Sequence, residues 1–320
     1  MKTLQDFQQL FDQTLKRDIA EFEERRVAIK KKIFGLLKLL GLIFVSMIVG
    51  LSVLGASDMP IPDILPVLTG ILFISTPFII LVRHFRLYTP FKKEFKEKIV
   101  REVLEFIQPG IQYMPDKGIP QNEFKRSGLV LMRTGLGSQK DFRYESSDLV
   151  TGELGGIAFH FAIAKVRRKE ASDLFNGAFI IVNSSRKLTG ETIIKEDLFE
   201  RYSNTWVGAM LKWIPDLQGQ VVRFDDEEFE KQFAVYGTDE AETRQVVSRD
   251  MMDWLMQMNL NRGLRLSFQE DKVYATLHYK REELILEPNI MGPPLSFDTL
   301  KGFLEYFVTV LSIVEKSSRF

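Results

Sequence analysis

The sequence predicts an α+β protein: a two-helix transmembrane hairpin with an amphipathic helical stalk, plus a cytosolic mixed or antiparallel β-sheet domain with packing helices. Three observations carry this expectation. Two long apolar runs, Ile33–Gly55 and Ile64–Val82, crowd one end of a chain whose mean hydropathy is close to zero. Apolar residues on either side of them recur at steps of three or four, the period of a helix with one buried face. Beyond Gly110 the period drops to two, the period of strands.

The first arm, residues 1–32, places Leu4, Phe7, Phe11, Leu15, Ile19 and Phe22 on one stripe of an otherwise charged helix. The run IFGLLKLLGLIFVSMIVGLSVLG, Ile33–Gly55, follows. A bilayer core of roughly 30 Å takes about 20 apolar residues in helix, so this run is long enough to span. Its one charge, Lys38, lies near the end and can snorkel to the headgroups. Two buried helices of a soluble core would each need a polar stripe for solvent, and neither run has one.

The turn ASDMPIPD, Ala56–Asp63, separates that run from ILPVLTGILFISTPFIILV, Ile64–Val82. Pro66 falls in the first turn, where its missing N–H is harmless, and Pro77 is expected to kink the helix. Arg83, His84 and Arg86 end the run. A second arm, residues 83–108, repeats the stripe with Phe91, Phe95, Ile99, Val103 and Phe106 or Ile107 until Pro109-Gly110 stops it. Both arms leave the same membrane face, so antiparallel pairing into a stalk is expected. The alternative lays them on anionic lipid, but their polar faces are mixed rather than cationic.

Basic residues set the orientation. Arg25, Arg26, Lys30, Lys31, Lys32, Lys38, Arg83 and Arg86 flank the runs, while Ala56–Asp63 has no Lys or Arg. The positive-inside rule puts both termini in the cytosol and makes these eight residues candidates for the membrane interface. Trp206 and Trp213 join that set, because tryptophan favours the headgroup level.

Residues 109–320 read as the cytosolic domain. Strands are expected at Gly128–Arg133, Gly156–Ala164, Phe179–Asn183, Thr192–Lys195, Gln220–Phe224 and Phe233–Gly237, then in a hairpin, Leu264–Gln269 with Val273–Tyr279. In the second of these, large apolar side chains alternate with Ala158, His160 and Ala162, which predicts one buried face. One helix is expected from Asp239, with Glu242 completing a capping box, to Gly263. A last helix from Ser296 carries Leu300, Phe303, Leu304, Phe307, Leu311 and Val314, a face that must lie on the sheet.

The totals exclude several kinds of chemistry. Lys+Arg and Asp+Glu both number 43, against the basic surplus that phosphate backbones demand, so no nucleic-acid partner is expected. Cysteine is absent, which removes thiolate metal sites and cysteine nucleophiles. The loop Thr134–Lys140 lacks the full phosphate-loop pattern. The acids from Asp225 to Glu230 lack calcium-loop spacing, and Asp225 with Glu228 instead fits a capping box. His84, His160 and His278 form no ligand pair. No cofactor and no metal are therefore expected, and the remaining polar cluster to weigh is Asp225, Asp239, Glu242 and Arg244.

VRFDDEEFEKQFAVYGTDEAETRQVVSRDMMDWLMQMN, Val222–Asn259, continued by LRLSFQEDKVYATLHY and LILEP, resembles a bacterial family of two-span membrane proteins catalogued as a domain of unknown function. Tyr144–Gly156 and Phe175–Ile193 resemble its earlier block. Thr243 departs from the family's usual Ala before Arg244. The resemblance implies a bacterial inner-membrane location and supplies no catalytic residue. The expected function is a membrane-anchored, non-enzymatic binding or scaffold module, with bilayer lipid and a protein partner or second copy as partners. A lipid-sensing domain at the inner leaflet and an enzyme with an unrecognised site are the alternatives.

Overall fold

The computed structural model describes residues 3–56, 64–129, 142–168, 173–196, 220–258, 263–279 and 287–319. They divide into two units, Met1–Glu102 with Ile285–Lys301, and Val103–Leu284 with Gly302–Phe320.

In the first unit, Thr3 opens the chain of helices with a capping box: its hydroxyl accepts from the Asp6 N–H, and the Asp6 carboxylate accepts from the Thr3 N–H. Helix α1 (Leu4–Leu10) passes through a π turn, Phe11–Leu15, into α2 (Lys16–Ala56). Helix α3 (Ile64–Phe95) passes through a second π turn, Lys96–Val100, into α4 (Arg101–Ile107), whose last residues belong to the second unit. The wide turns were not legible in the sequence. Both keep the apolar stripe inward, with Phe11, Leu15, Ile99 and Val100 all buried.

The arms pair antiparallel. Phe22 meets Phe91 and Phe95 edge-on, at centroid distances of 5.7 and 5.4 Å. Arg25 forks onto Glu94 at 2.8 and 2.6 Å, and Lys98 reaches Asp18 at 3.0 Å. Phe297 fills the space beside Phe7 and Phe11. Leu4, expected on the stripe, is instead exposed in the first helical turn.

Past Ile33 the character of α2 changes. Leu39, Leu42, Val45, Val49 and Val53 are exposed, as are Val67, Ile71, Phe78 and Ile79 on α3. One helical stretch among the described residues, Leu4–Gly50, is long and apolar enough to cross a membrane, and 6% of its apolar window is buried. The hydroxyls there are satisfied within the helix: Ser46 donates to the Ile43 carbonyl and Ser52 to that of Ile48.

Among the described residues the second unit forms a nine-stranded sheet, antiparallel at every pairing, in the order β1-β2-β3-β4-β9-β8-β5-β7-β6. The strands are β1 (Gln112–Met114), β2 (Phe142–Leu154), β3 (Ile157–Arg168), β4 (Asp173–Asn183), β5 (Glu191–Glu196), β6 (Gln220–Val221), β7 (Phe233–Gly237), β8 (Arg265–Gln269) and β9 (Lys272–His278). Of the expected strands, Gly128–Arg133 is not borne out where it is described: Gly128, at φ +64°, and Leu129 lie outside any strand. Its remaining residues lie outside the described ones, as does the Thr134–Lys140 loop.

Strand β2 escaped the sequence reading for a physical reason. A bulge between Ser147 and Val150 breaks its period of two, and Asp148, at φ 60°, accepts a hydrogen bond from the buried Tyr113 hydroxyl at 2.6 Å. Gly155 and Gly156, both at positive φ, then turn the chain into β3 with Leu154 paired to Ile157. The β8–β9 hairpin turns at Glu270-Asp271, as expected.

Both faces of the central strands are covered, not one. Phe159 and Phe161 are as buried as Ala162 and Ala164, which point the other way. On one face the short helix α5 (Gln121–Arg126) drives Phe124 into a core with Phe175, Phe179 and Ile181. On the other, the C-terminal helix Phe297–Ser317 sets Phe307 against Phe161. Its Tyr306 hydroxyl accepts from the Ala178 N–H and donates to the Leu277 carbonyl, both at 2.9 Å, bridging β4 and β9. The single helix expected from Asp239 to Gly263 is two, Glu240–Val246 and Arg249–Gln257. Ser248 caps the second through the Met251 N–H.

Candidate functional site

The basic residues read as a membrane collar separate into two groups. Arg26 is only 4% exposed. Its guanidinium forks onto Glu23 at 2.7 and 2.8 Å and donates to the carbonyls of Ile290, Gly292 and Asn289 at 2.8, 3.1 and 3.3 Å. The Glu23 carboxylate also accepts the Leu295 N–H. The Arg26 hydrogen bond holds the Glu23 carboxyl below its ordinary range, against the upward push of burial. Arg26 is thus an internal pin for residues 289–295 rather than a headgroup ligand, because a desolvated guanidinium must spend its donors on protein.

Arg25 is taken up by Glu94 and lies over the rings of Phe22 and Phe91. Lys92 and Lys96 converge on Glu287, whose carboxyl burial would raise but which these two ammonium groups bring below its usual range. Lys31, Lys32, Lys38 and Arg86 remain exposed, and Lys30 is half-buried. The side chain of Arg83, and Trp206 with Trp213, lie outside the described residues.

The polar cluster does not come together as a site. Asp239 caps its helix through the Glu242 N–H, but the Glu242 carboxylate turns away from the cap to accept the N–H groups of Thr189 and Gly190, the latter at 2.7 Å. Arg244 pairs with Glu240 one turn away and covers the Phe224 ring. Asp226, not Asp225, caps the helix Glu227–Gln232 and binds Arg249. Each of the bonded groups is engaged in capping or bracing, and among the described residues no metal-binding group of acids and histidines forms.

A different set converges on the sheet. The register places Thr276 of β9 opposite Arg265 of β8, and Arg265 opposite Lys195 of β5, so the three side chains form a row on one face. Arg265 donates to the Leu129 carbonyl at 3.0 Å. Lys195 is half-buried, and burial together with the neighbouring Arg265 brings its ammonium down to about 8. His278, two residues beyond Thr276, is lowered by burial and by the same Arg265, and lies edge-on to Phe175. His160 is exposed on β3, away from His278 across β4.

Thr276 is fully buried, and among the described residues its hydroxyl has no hydrogen-bond partner. Sequence reading missed this row because each residue looks ordinary in its own strand. The available signal was parity: in Ile193-Ile194-Lys195 and Arg265-Leu266-Ser267 a cation falls on the same face as inward residues.

Comparison with known proteins bears out the resemblance to a family of unknown function, over a narrower range. No curated protein matches the chain. Among solved structures, the crystal structure of the mycobacterial trehalose monomycolate transport factor A, TtfA, is similar at 11% identity and a TM-score of 0.33, covering 67% of this chain and 94% of that one. At that score neither fold nor function passes from it to this chain. The matching family model, described as "Protein of unknown function (DUF3137)", covers residues 173–318 and so leaves out the Tyr144–Gly156 block. Strands β4 to β9 and the C-terminal helix lie within the matched residues.

Proposed function

We propose that this protein is a bacterial inner-membrane module: two spans, Ile33–Gly55 and Ile64–Val82, hold a cytosolic sheet domain that binds a protein partner or a second copy without catalysing a reaction. The observation that carries the anchor is the uncovered apolar surface from Phe34 to Val53, where Leu42 is 71% exposed. In water such a surface is strongly unfavourable, whereas lipid tails match it. Helix α2 has 41 residues, about 60 Å at 1.5 Å per residue, so it can cross a core of roughly 30 Å and still project.

A cleaved leader fits less well. The helix that carries the apolar stretch begins with an arm whose Ile19, Phe22 and Arg26 are buried against other parts of the same unit. The non-enzymatic reading is supported by Asp239, Glu242 and Arg244, which act as caps and braces. The lipid-sensing alternative leans on Trp206 and Trp213, outside the described residues.

The absence of native cysteine makes the topology test clean. Single-cysteine variants Ser57→Cys and Asp298→Cys, in intact cells, are exposed to a maleimide that cannot cross the inner membrane. Ser57→Cys is expected to label at once and Asp298→Cys only after lysis. Labelling of both from outside, or of neither, rejects the two-span arrangement. A mild-detergent purification that yields a monomer with no companion rejects the binding role.

A further inference from the structure

We propose that the row Lys195, Arg265 and Thr276 is a receptor for a phosphate group, carried as free phosphate or as a phosphomonoester. The inference is independent of the membrane reading, since it rests on the sheet alone.

The described strands carry three lysines, and two of them are paired. Lys165 meets Asp173 at 2.9 Å, and Lys272 meets Glu123 at 3.2 Å. Lys195 is the third, and it faces an arginine. Like charges directly opposite on neighbouring strands repel, with Cβ atoms about 5 Å apart, and partial burial deepens the cost because water screens less. Among the described residues no carboxylate bonds the Lys195 ammonium.

Thr276 is the second, independent sign. A fully buried hydroxyl without a partner costs free energy that a native fold rarely leaves unrecovered. It stands in the same row, directly opposite Arg265. An oxyanion seated there would accept from the Lys195 ammonium, from the guanidinium that the Leu129 carbonyl holds in place, and from the Thr276 hydroxyl. Three donors from three adjacent strands match the three terminal oxygens of a phosphomonoester better than the two of a carboxylate.

Full-length protein in non-ionic detergent, titrated with inorganic phosphate at constant ionic strength, provides the test. Phosphate is expected to raise the unfolding temperature. Lys195→Met should raise it in phosphate-free buffer, by removing a cation that no described carboxylate pairs, and should weaken phosphate binding by roughly tenfold or more. Thr276→Val should weaken binding without the loss of charge. Equal phosphate response in wild type and Lys195→Met, or no response in either, overturns the proposal.

Should a variant fail to fold, the wild-type chain still decides. Lys195 is labelled with an amine-reactive reagent near pH 8 and quantified by peptide mass mapping, with chloride as the control. Protection by inorganic phosphate or glycerol phosphate supports a soluble ligand. Protection only by nanodiscs containing phosphatidic acid assigns the site to a lipid headgroup. No protection, or equal protection by chloride, overturns the assignment.

Discussion

Two apolar helical stretches of this protein meet different surroundings. From Phe34 to Val53, helix α2 leaves most of its aliphatic side chains exposed, with Leu36, Leu40, Phe44 and Met47 only half-buried, whereas the C-terminal helix hides Phe303, Tyr306, Phe307, Val310, Ile313 and Val314 almost completely. The difference is one of distribution. Glu305, Thr309 and Glu315 give the C-terminal helix a polar side, and the Thr309 and Glu305 groups are bonded along it. The α2 stretch has no such side, so no orientation on a protein surface could bury it. Hydrophobic content alone does not select the solvent of a helix; the stripe does.

The sharpest way to break this comparison is truncation of one large side chain in each stretch. Phe307→Ala is expected to cost about 3–5 kcal/mol, because it opens a cavity between the helix and Phe161. Leu42→Ala should change the stability of detergent-solubilised protein by less than about 0.5 kcal/mol, as truncation at a mostly exposed site does. Chemical unfolding followed by circular dichroism measures both. A large loss for Leu42→Ala would mean that protein, not lipid, surrounds α2 there.

A middle-sized effect sharpens the same contrast from the buried side. Tyr306 gives the C-terminal helix a polar anchor inside the sheet, where it bridges Ala178 and Leu277. Tyr306→Phe keeps the ring and leaves a buried N–H and C=O unpaired, at a cost of about 1–3 kcal/mol. Hydrogen exchange should show the Ala178 amide losing protection before its neighbours. Unchanged protection there means that the hydroxyl is not what holds the junction of β4 and β9.

How much of this was legible in the sequence follows the range over which each pattern acts. The stripe Phe7, Phe11, Leu15, Ile19 and Phe22, the apolar run that follows it and the β8–β9 hairpin are local patterns, and they fold as their periods require. Strand β2 was missed because the Ser147–Val150 bulge resets its parity. Helix Asp239–Gly263 was read as one because Val247 and Ser248 break it with a cap, not with Gly or Pro. Arg26 was assigned to lipid because its partners, Asn289 to Gly292, are more than two hundred residues away. The Lys195 row had only the weak signal of parity within each strand, for the same reason: three strands contribute one residue each, and only their register makes them neighbours.

The smallest expected effect lies within α2 itself, whose lower half is buried along one stripe and whose upper half is largely exposed. The lower half owes part of its hold to ionised groups. Glu23 accepts from Arg26 and from the Leu295 N–H, and its carboxyl is lowered from its ordinary 4.5, as is that of Glu287 beside Lys96. A carboxyl with a depressed folded pKa stabilises fully above its unfolded value and loses that contribution as pH falls through the folded one. Acidification below about 4.5 should therefore loosen the 287–295 segment first. In hydrogen exchange corrected for intrinsic rate, the Leu295 amide is expected to lose protection across that window. The Ala178 amide, held by a neutral tyrosine hydroxyl, should keep its own. If both fade together, the arm and the sheet share one acid transition, and α2 is not held by a separately titrating set of contacts.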